Sequence, residues 1–208
     1  MKRPQADFPR VAFVTERILK RCLMPSISKL KYLQLRFLAK PKSNRQIYKL
    51  IATNRYRSIM ELGISDMERT SNLIQVAQRF GLGGEVKYTG VDLFEGRPSG
   101  HTELPLKHVH QQLKPLGVKL QLVPGDPVHA LHRIANAHTR TDLIIVSNDC
   151  DPASLEQAWF YVPRMLHASS TVLLQPADPL KPFQAINRLE IERKAEQETT
   201  RRRNTRAA

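Results

Sequence analysis

Cysteine is nearly absent: the 208 residues hold two, Cys22 and Cys150. Two cysteines so far apart make neither a disulfide framework nor a metal-ligand pattern. Long apolar runs are missing too. No stretch approaches the roughly 18 residues that a membrane span needs. The start, Met1-Lys2-Arg3-Pro4, is basic, but no apolar core follows it. Neither a transmembrane segment nor a secretory signal is therefore expected, and a reducing, cytoplasmic compartment is. Aromatic residues are sparse at 6%, and no nucleic-acid stacking motif stands out. A glycine loop followed by Lys and Ser/Thr is lacking, which argues against an ATPase.

What is present is a core and an uneven charge. Hydrophobic residues make up 41% of the chain, enough for one domain with extensions. The formal charge of +14 is concentrated at the ends. Residues 1–57 carry 15 Lys and Arg against two acids, residues 58–187 carry 11 against 13, and residues 188–208 carry seven against four. A nearly neutral centre thus lies between a basic arm and a basic tail. Such flanks attract phosphate backbones or anionic lipid heads, and serve equally as solubilising extensions.

Periodicity predicts the elements. Val11, Val14, Ile18 and Cys22 fall at helical spacing between Pro9 and Leu23. A second helix follows Ser26, with Leu30, Leu33 and Phe37 as one apolar stripe among Lys29, Lys31 and Arg36. These basic helices suit a membrane surface or RNA. The commoner arrangement, and the one expected, is a cap that packs its stripe over the sheet edge or the pocket. A third short helix spans 45–54. Strands are expected at 58–62, 86–91, 118–123, 142–146 and 171–174, and helices at 71–80, 106–114, 129–137, 152–166 and 183–198. Residues 199–208 are expected to be disordered. Strands alternating with helices imply a mostly parallel sheet. The fold class expected is α/β, a Rossmann-like doubly wound sheet of about five to seven strands with an N-terminal helical extension. Its divisions are a basic helical extension (1–44), the Rossmann-like domain (45–182), and a charged C-terminal helix with a basic tail (183–208).

In such a sheet, ligands bind at the carboxyl ends of the strands. After the first strand comes Gly63-Ile64-Ser65-Asp66-Met67. Gly63 permits a sharp turn and close backbone approach, while Ser65 and Met67 stand where further glycines would be expected. After the second comes Asp92, whose two oxygens can accept both hydroxyls of a ribose, or cap the loop that follows. After the third comes Gly125-Asp126, placed to receive an adenine amino group or to cap the helix that begins at Pro127. After the fourth comes the polar cluster Ser147-Asn148-Asp149-Cys150-Asp151. Asp149 and Asp151 could hold a divalent cation, but capping the next helix is the commoner use, and no metal site is assigned. His129 and His132 share a helical face without an evident third ligand, so they are read as surface histidines.

Glu61-Leu62-Gly63, Gly90-Val91-Asp92, Val123-Pro124-Gly125-Asp126 and the strand at 142–146 resemble, in order and spacing, the class I S-adenosylmethionine-dependent methyltransferases. The resemblance covers about residues 45–176. It implies S-adenosylmethionine as cofactor, with Glu61 and Gly63 at the methionine end, Asp92 on the ribose and Asp126 near the adenine. Ser65, Leu93 and Asn148 would complete the cofactor site. Glu61 has an alternative, pairing with a cation of the basic arm. The implied activity is methyl transfer to the oxygen of a small-molecule acceptor, with Asp149 as the candidate catalytic base. The alternative is a catalytically inactive, methyltransferase-like binding module whose basic extensions, within residues 1–57, contact RNA or an anionic membrane surface.

Overall fold

The computed structural model describes residues 27–81, 84–178 and 181–207. The helix expected between Pro9 and Leu23 lies outside them. The chain opens with helices α1 (Lys29–Leu38) and α2 (Lys42–Asn54). Ser28 caps α1, its hydroxyl accepting from the Lys31 amide at 3.1 Å. Alternation follows: β1 (Ser58–Leu62), α3 (Met67–Phe80), β2 (Lys87–Asp92), α4 (Leu106–Leu113), β3 (Lys119–Pro124), α5 (Pro127–Ile134), β4 (Thr141–Val146), α6 (Pro152–Ala158), β5 (Leu166–Leu174), β6 (Gln184–Ile186) and α7 (Arg188–Ala207). The sheet order is β3-β2-β1-β4-β5-β6. The first five strands pair in parallel, and β6 runs antiparallel to β5. With helices packed on it from both sides, this is a Rossmann-like α/β fold.

The two-residue period of the strands sorts their side chains onto two faces. Ile59, Tyr88, Leu143 and Ile145 join one core with Ile47 and Ile51 of α2 and Leu73 and Ile74 of α3. Met60, Val91, Ile144 and Val172 join the other with Leu131 of α5, Trp159 and Ile191 of α7. The central strands β1 and β4 are buried on both faces, which is why they read as continuous apolar runs.

Four local differences from the sequence reading have physical causes. The helix expected over 152–166 stops at Ala158, and a 3-10 turn, Val162–Met165, leads straight into β5. Pro163 within that turn lacks the N–H an α-helix would need. Gln184–Ile186, expected as helix, pairs with Val172–Leu174 instead; three residues are too few for a periodic signal. The polar tail is helical to Ala207 rather than disordered. It is held by Ile191 and by Arg202, which donates to Glu198, to the Tyr161 hydroxyl and to the Gln157 carbonyl while lying 4.4 Å from the Phe160 ring centroid.

The fourth difference concerns α1. The stripe Leu30, Leu33 and Phe37, expected to pack inward, faces out. The helix docks through its other side, with Leu35 buried and Tyr32 against the Phe80 ring at 4.5 Å. Ile27, just before it, is tied down by the Arg79 guanidinium on its carbonyl at 2.6 Å.

Candidate functional site

Strands are added in one direction from β1 to β3 and in the other from β4 on, so a crevice opens beyond the carboxyl ends of the parallel neighbours β1 and β4. Hydrogen bonds past the strand ends keep these neighbours aligned. The Gly63 amide donates to the Val91 carbonyl, Gly125 to Asp92, Ser147 to Leu62 and Gln175 to Val146, all at 2.8–2.9 Å.

The turn after β1 is tight against the loop after β4. Gly63 has φ +80°, and a Cβ there would meet the Ser147 Cβ at 2.7 Å and the Cys150 sulfur at 3.1 Å. Glycine is thus required by the protein's own packing. Asp66 caps α3, accepting from the Glu68 and Arg69 amides. Met67, the first residue of α3, is half-buried against the core and does not line the cleft at Asp92.

Beside that turn lies a cleft of about 370 Å³, within the size range of ligand sites. Gly63, Asp92, Leu93, Asp126, Asn148 and Asp149 line it, together with Arg97, Cys150 and Asp151. Next to it is a second cleft of about 320 Å³, lined by Ser43, Asn44, Ser65, Arg69 and Gln175 among others. Asn148 and Asp149 belong to both. Both are exposed, while the Asp149 amide is fixed by the Ser147 hydroxyl at 3.1 Å.

Asp92 is the most buried carboxylate lining the first cleft. Its Oδ1 accepts from the Phe94 amide (2.9 Å) and Arg97 Nε (2.7 Å). Its Oδ2 accepts from the Ile64 amide (2.7 Å) and Arg97 Nη2 (2.6 Å). Four donors fill the roughly four lone-pair positions a carboxylate offers, so no acceptor is left for a ribose while Arg97 stays in place. Burial by itself would raise the Asp92 pKa, but the Arg97 and backbone hydrogen bonds outweigh it and hold the carboxyl below its ordinary value. Arg97 is anchored further by the carbonyls of Ile64 (2.6 Å) and Thr102 (3.1 Å). Sequence reading missed this arginine: it sits in the loop between β2 and α4, which showed only turn-forming residues.

Glu61 lies under the crevice and lines neither cleft. It is fully buried, accepting from Arg69 (3.1 Å), the Thr70 hydroxyl (2.6 Å) and the Tyr88 hydroxyl (2.7 Å). Its cation therefore comes from α3. Burial, followed by Glu61, drives the Tyr88 pKa well above its usual value. Ser65 faces the second cleft, where its hydroxyl donates to Gln175 Oε1 at 3.2 Å, an oxygen shared with Arg69 at 3.0 Å.

Asp126 caps α5, accepting from the Val128 and His129 amides and from the Ser154 hydroxyl, while His129 Nδ1 sits 2.6 Å from its other oxygen. Burial opposes ionisation, yet these bonds bring its pKa down to about 2. Asp151 caps α6 through the Ser154 amide at 2.7 Å. Burial pushes the Cys150 thiol up to about 12, helped by the charges of Asp92 and Asp149; its sulfur donates to the Leu62 carbonyl at 3.0 Å. Among the described residues, no cluster of three or more His, Cys, Asp or Glu side chains could hold a metal ion, and no helix is long and apolar enough to cross a membrane.

No family model matches the chain, and no curated protein matches it. Solved structures do. An SAH-bound methyltransferase from Podospora anserina is similar at 12% identity and TM-score 0.42, over 94% of this chain and 86% of that one. A TDP-rhamnose 3'-O-methyltransferase of calicheamicin biosynthesis gives 19% and 0.49, over 84% and 81%. An O-methyltransferase from Bacillus cereus in complex with SAH gives 14% and 0.45, over 88% and 84%. At such identities the chemistry is decided by side chains at the site, which likeness of fold does not carry over. The described residues form a six-stranded Rossmann-like α/β fold, and these structures similar to it are methyltransferases.

Proposed function

We propose that the chain transfers a methyl group from S-adenosylmethionine to a hydroxyl of a small molecule. The observation that carries this is the meeting of two clefts at Asn148 and Asp149, beyond the carboxyl ends of the central strands. One cleft holds the backbone turn at Gly63 and the acids Asp92 and Asp126. The other is walled by hydroxyl and amide groups of Ser43, Asn44, Ser65 and Gln175, which suits a polar acceptor. The residues fit the cofactor on one condition: Met67 leaves the first cleft free, but Arg97 must give up Asp92. With that exchange, Asp92 would hold the ribose hydroxyls, and Asp126, Leu93 and Asn148 would border the base. When bound, the cofactor supplies an activated methyl group to an attacking oxygen. The chain's own part is to align donor and acceptor across the shared wall. The Asp149 carboxylate, exposed at that wall, would take the proton from the acceptor hydroxyl.

Calorimetry with S-adenosylhomocysteine tests the first half. Binding to the wild-type chain that Asp92→Asn weakens is expected; no binding at millimolar ligand, in wild type and in Arg97→Ala alike, would sink the proposal. Asp149→Asn is expected to lower turnover about 10²–10⁴-fold while leaving that binding intact. A second reading is favoured by one observation, the saturated Asp92. In it the Asp92–Arg97 pair is purely structural and the chain is a binding module without catalysis. Release of Arg97 with no gain in ligand binding would support it.

A further inference from the structure

We infer that the outward face of α1 is a docking surface for an anionic lipid bilayer, independently of whether the clefts transfer methyl groups. Leu30, Leu33, Phe37 and Leu38 are 78%, 48%, 57% and 67% exposed. On a helix of 3.6 residues per turn, Leu30, Leu33 and Phe37 share one stripe. Lys29 and Arg36 flank it on one side and Lys31 on the other. Arg36 sits 5.3 Å from the Phe37 ring centroid, so a cation is held at the edge of the stripe. The buried side of the helix is already used by Leu35 and Tyr32, which fixes the stripe outward.

Charge chooses the occupant. Residues 27–57 contain nine Lys and Arg and no acidic residue. Lys29, Lys40, Lys42 and Lys49, on or next to α1 and α2, are exposed. A second copy of this chain would bring two strongly basic helices together, with Asp66 and Glu68 as the acids beside α1, so like charges outnumber opposite ones. RNA would satisfy the cations, but it rewards flat aromatic platforms, whereas the outermost side chains are mainly leucines. A bilayer with anionic headgroups satisfies both features at once: the stripe enters the acyl boundary and the rim of cations meets the headgroup charge.

Vesicle flotation of the full chain tests this. Probes are phosphatidylcholine vesicles with and without about one third phosphatidylglycerol. The variants are Leu30→Gln/Leu33→Gln/Phe37→Gln and Lys29→Glu/Lys31→Glu/Arg36→Glu. All six side chains lie on or beside the outward face, and circular dichroism with a thermal melt confirms the fold. Wild-type chain is expected to float with the anionic vesicles only, and each variant to bind them at least about tenfold less. Failure of wild type to float would overturn the proposal. So would flotation unchanged in the glutamine variant, which would assign lipid binding to charge elsewhere. So would a wild-type dimer that the glutamine variant splits, or tighter binding to a short RNA than to the vesicles.

Discussion

Replacing Arg97 by alanine is the perturbation that most directly separates a working cofactor cleft from a sealed one. Arg97 makes two charge-assisted hydrogen bonds to Asp92, at 2.7 and 2.6 Å, and two more to backbone carbonyls. A hydrogen bond to or from a charged group contributes roughly 1.5–3 kcal/mol net, and all four bonds of the guanidinium are of this kind. Water recovers part of this when the guanidinium swings out, and ribose hydroxyls would recover part for Asp92. The net cost of opening is then about 2–4 kcal/mol, and at 1.4 kcal/mol per tenfold it weakens the apparent affinity about 30- to 700-fold. Arg97→Ala removes that cost, so calorimetry should show S-adenosylhomocysteine binding tighter by that factor. The variant will also be less stable. Loss of one partner of a fully buried pair costs about 3–5 kcal/mol; Arg97 is 11% exposed and Asp92 keeps two backbone donors, so about 2–3 kcal/mol is expected. A folded variant whose affinity stays within twofold of wild type would refute the reasoning that Arg97 competes with the ligand.

Three further outcomes follow from the same contacts. Glu61→Ala leaves the Arg69 guanidinium buried without its carboxylate, and should cost about 3–5 kcal/mol in urea unfolding; a loss under about 1 kcal/mol would show that the charge is relieved by solvent. In a Cys22→Ser background, Cys150 should resist iodoacetamide at pH 8 in the native state, because its thiol titrates near 12, and should label at once on unfolding. Native labelling at the rate of a free thiol would contradict its burial. Asp126 has a folded pKa of about 2, below the unfolded value of roughly 3.9. The stability it contributes is therefore fully present above pH 4 and is lost as pH falls through 2. Asp126→Ala should cost about 1 kcal/mol at pH 7 as a lost helix cap, and the gap from wild type should close between pH 4 and 2; a gap constant with pH would assign the loss to packing.

How much of this was legible in the sequence depends on whether a feature is local. The strands β1 and β4 are largely apolar and each is followed by a turn with an acidic residue, and β2 ends on Asp92, so their order and the direction of their ends could be read directly. The placement of Asp92, Asp126 and Asn148–Asp149 at one crevice follows from that topology alone. Partners were not legible in the same way. Glu61 and Arg69 meet because α3 folds back over β1 by eight residues, a contact that apolar periodicity does not mark. β6 exists only because β5 offers it an edge. The polar end of α7 has the composition of a disordered tail, and it is helical because Arg202 finds Tyr161 and Phe160 about forty residues away. On α1, spacing picked out the stripe Leu30, Leu33 and Phe37 as the inward face, whereas Leu35 and Tyr32 make the docked side. That choice is made by Phe80 and the floor of α2 and α3, and it converts an expected packing face into an exposed one.

The same distinction relocates the question of activity. The glycine-poor turn looked like the weak point, with Met67 where space was needed. The structure packs Met67 against the core and shows Gly63 closely flanked by Ser147 and Cys150, so the turn keeps its shape without further glycines. What occupies Asp92 instead is a residue no motif would mark. Asp92 makes the strand end read as a ribose site, and the loop between β2 and α4 delivers Arg97 to that same carboxylate. A carboxylate with four donors has no acceptor left to offer, whatever the fold around it. Under the proposed function, ligand binding and salt-bridge opening are one equilibrium, its position set by the anchoring of Arg97 on Ile64 and Thr102. Weakening those two carbonyl contacts by reshaping the loop should raise affinity without touching any residue that meets the ligand.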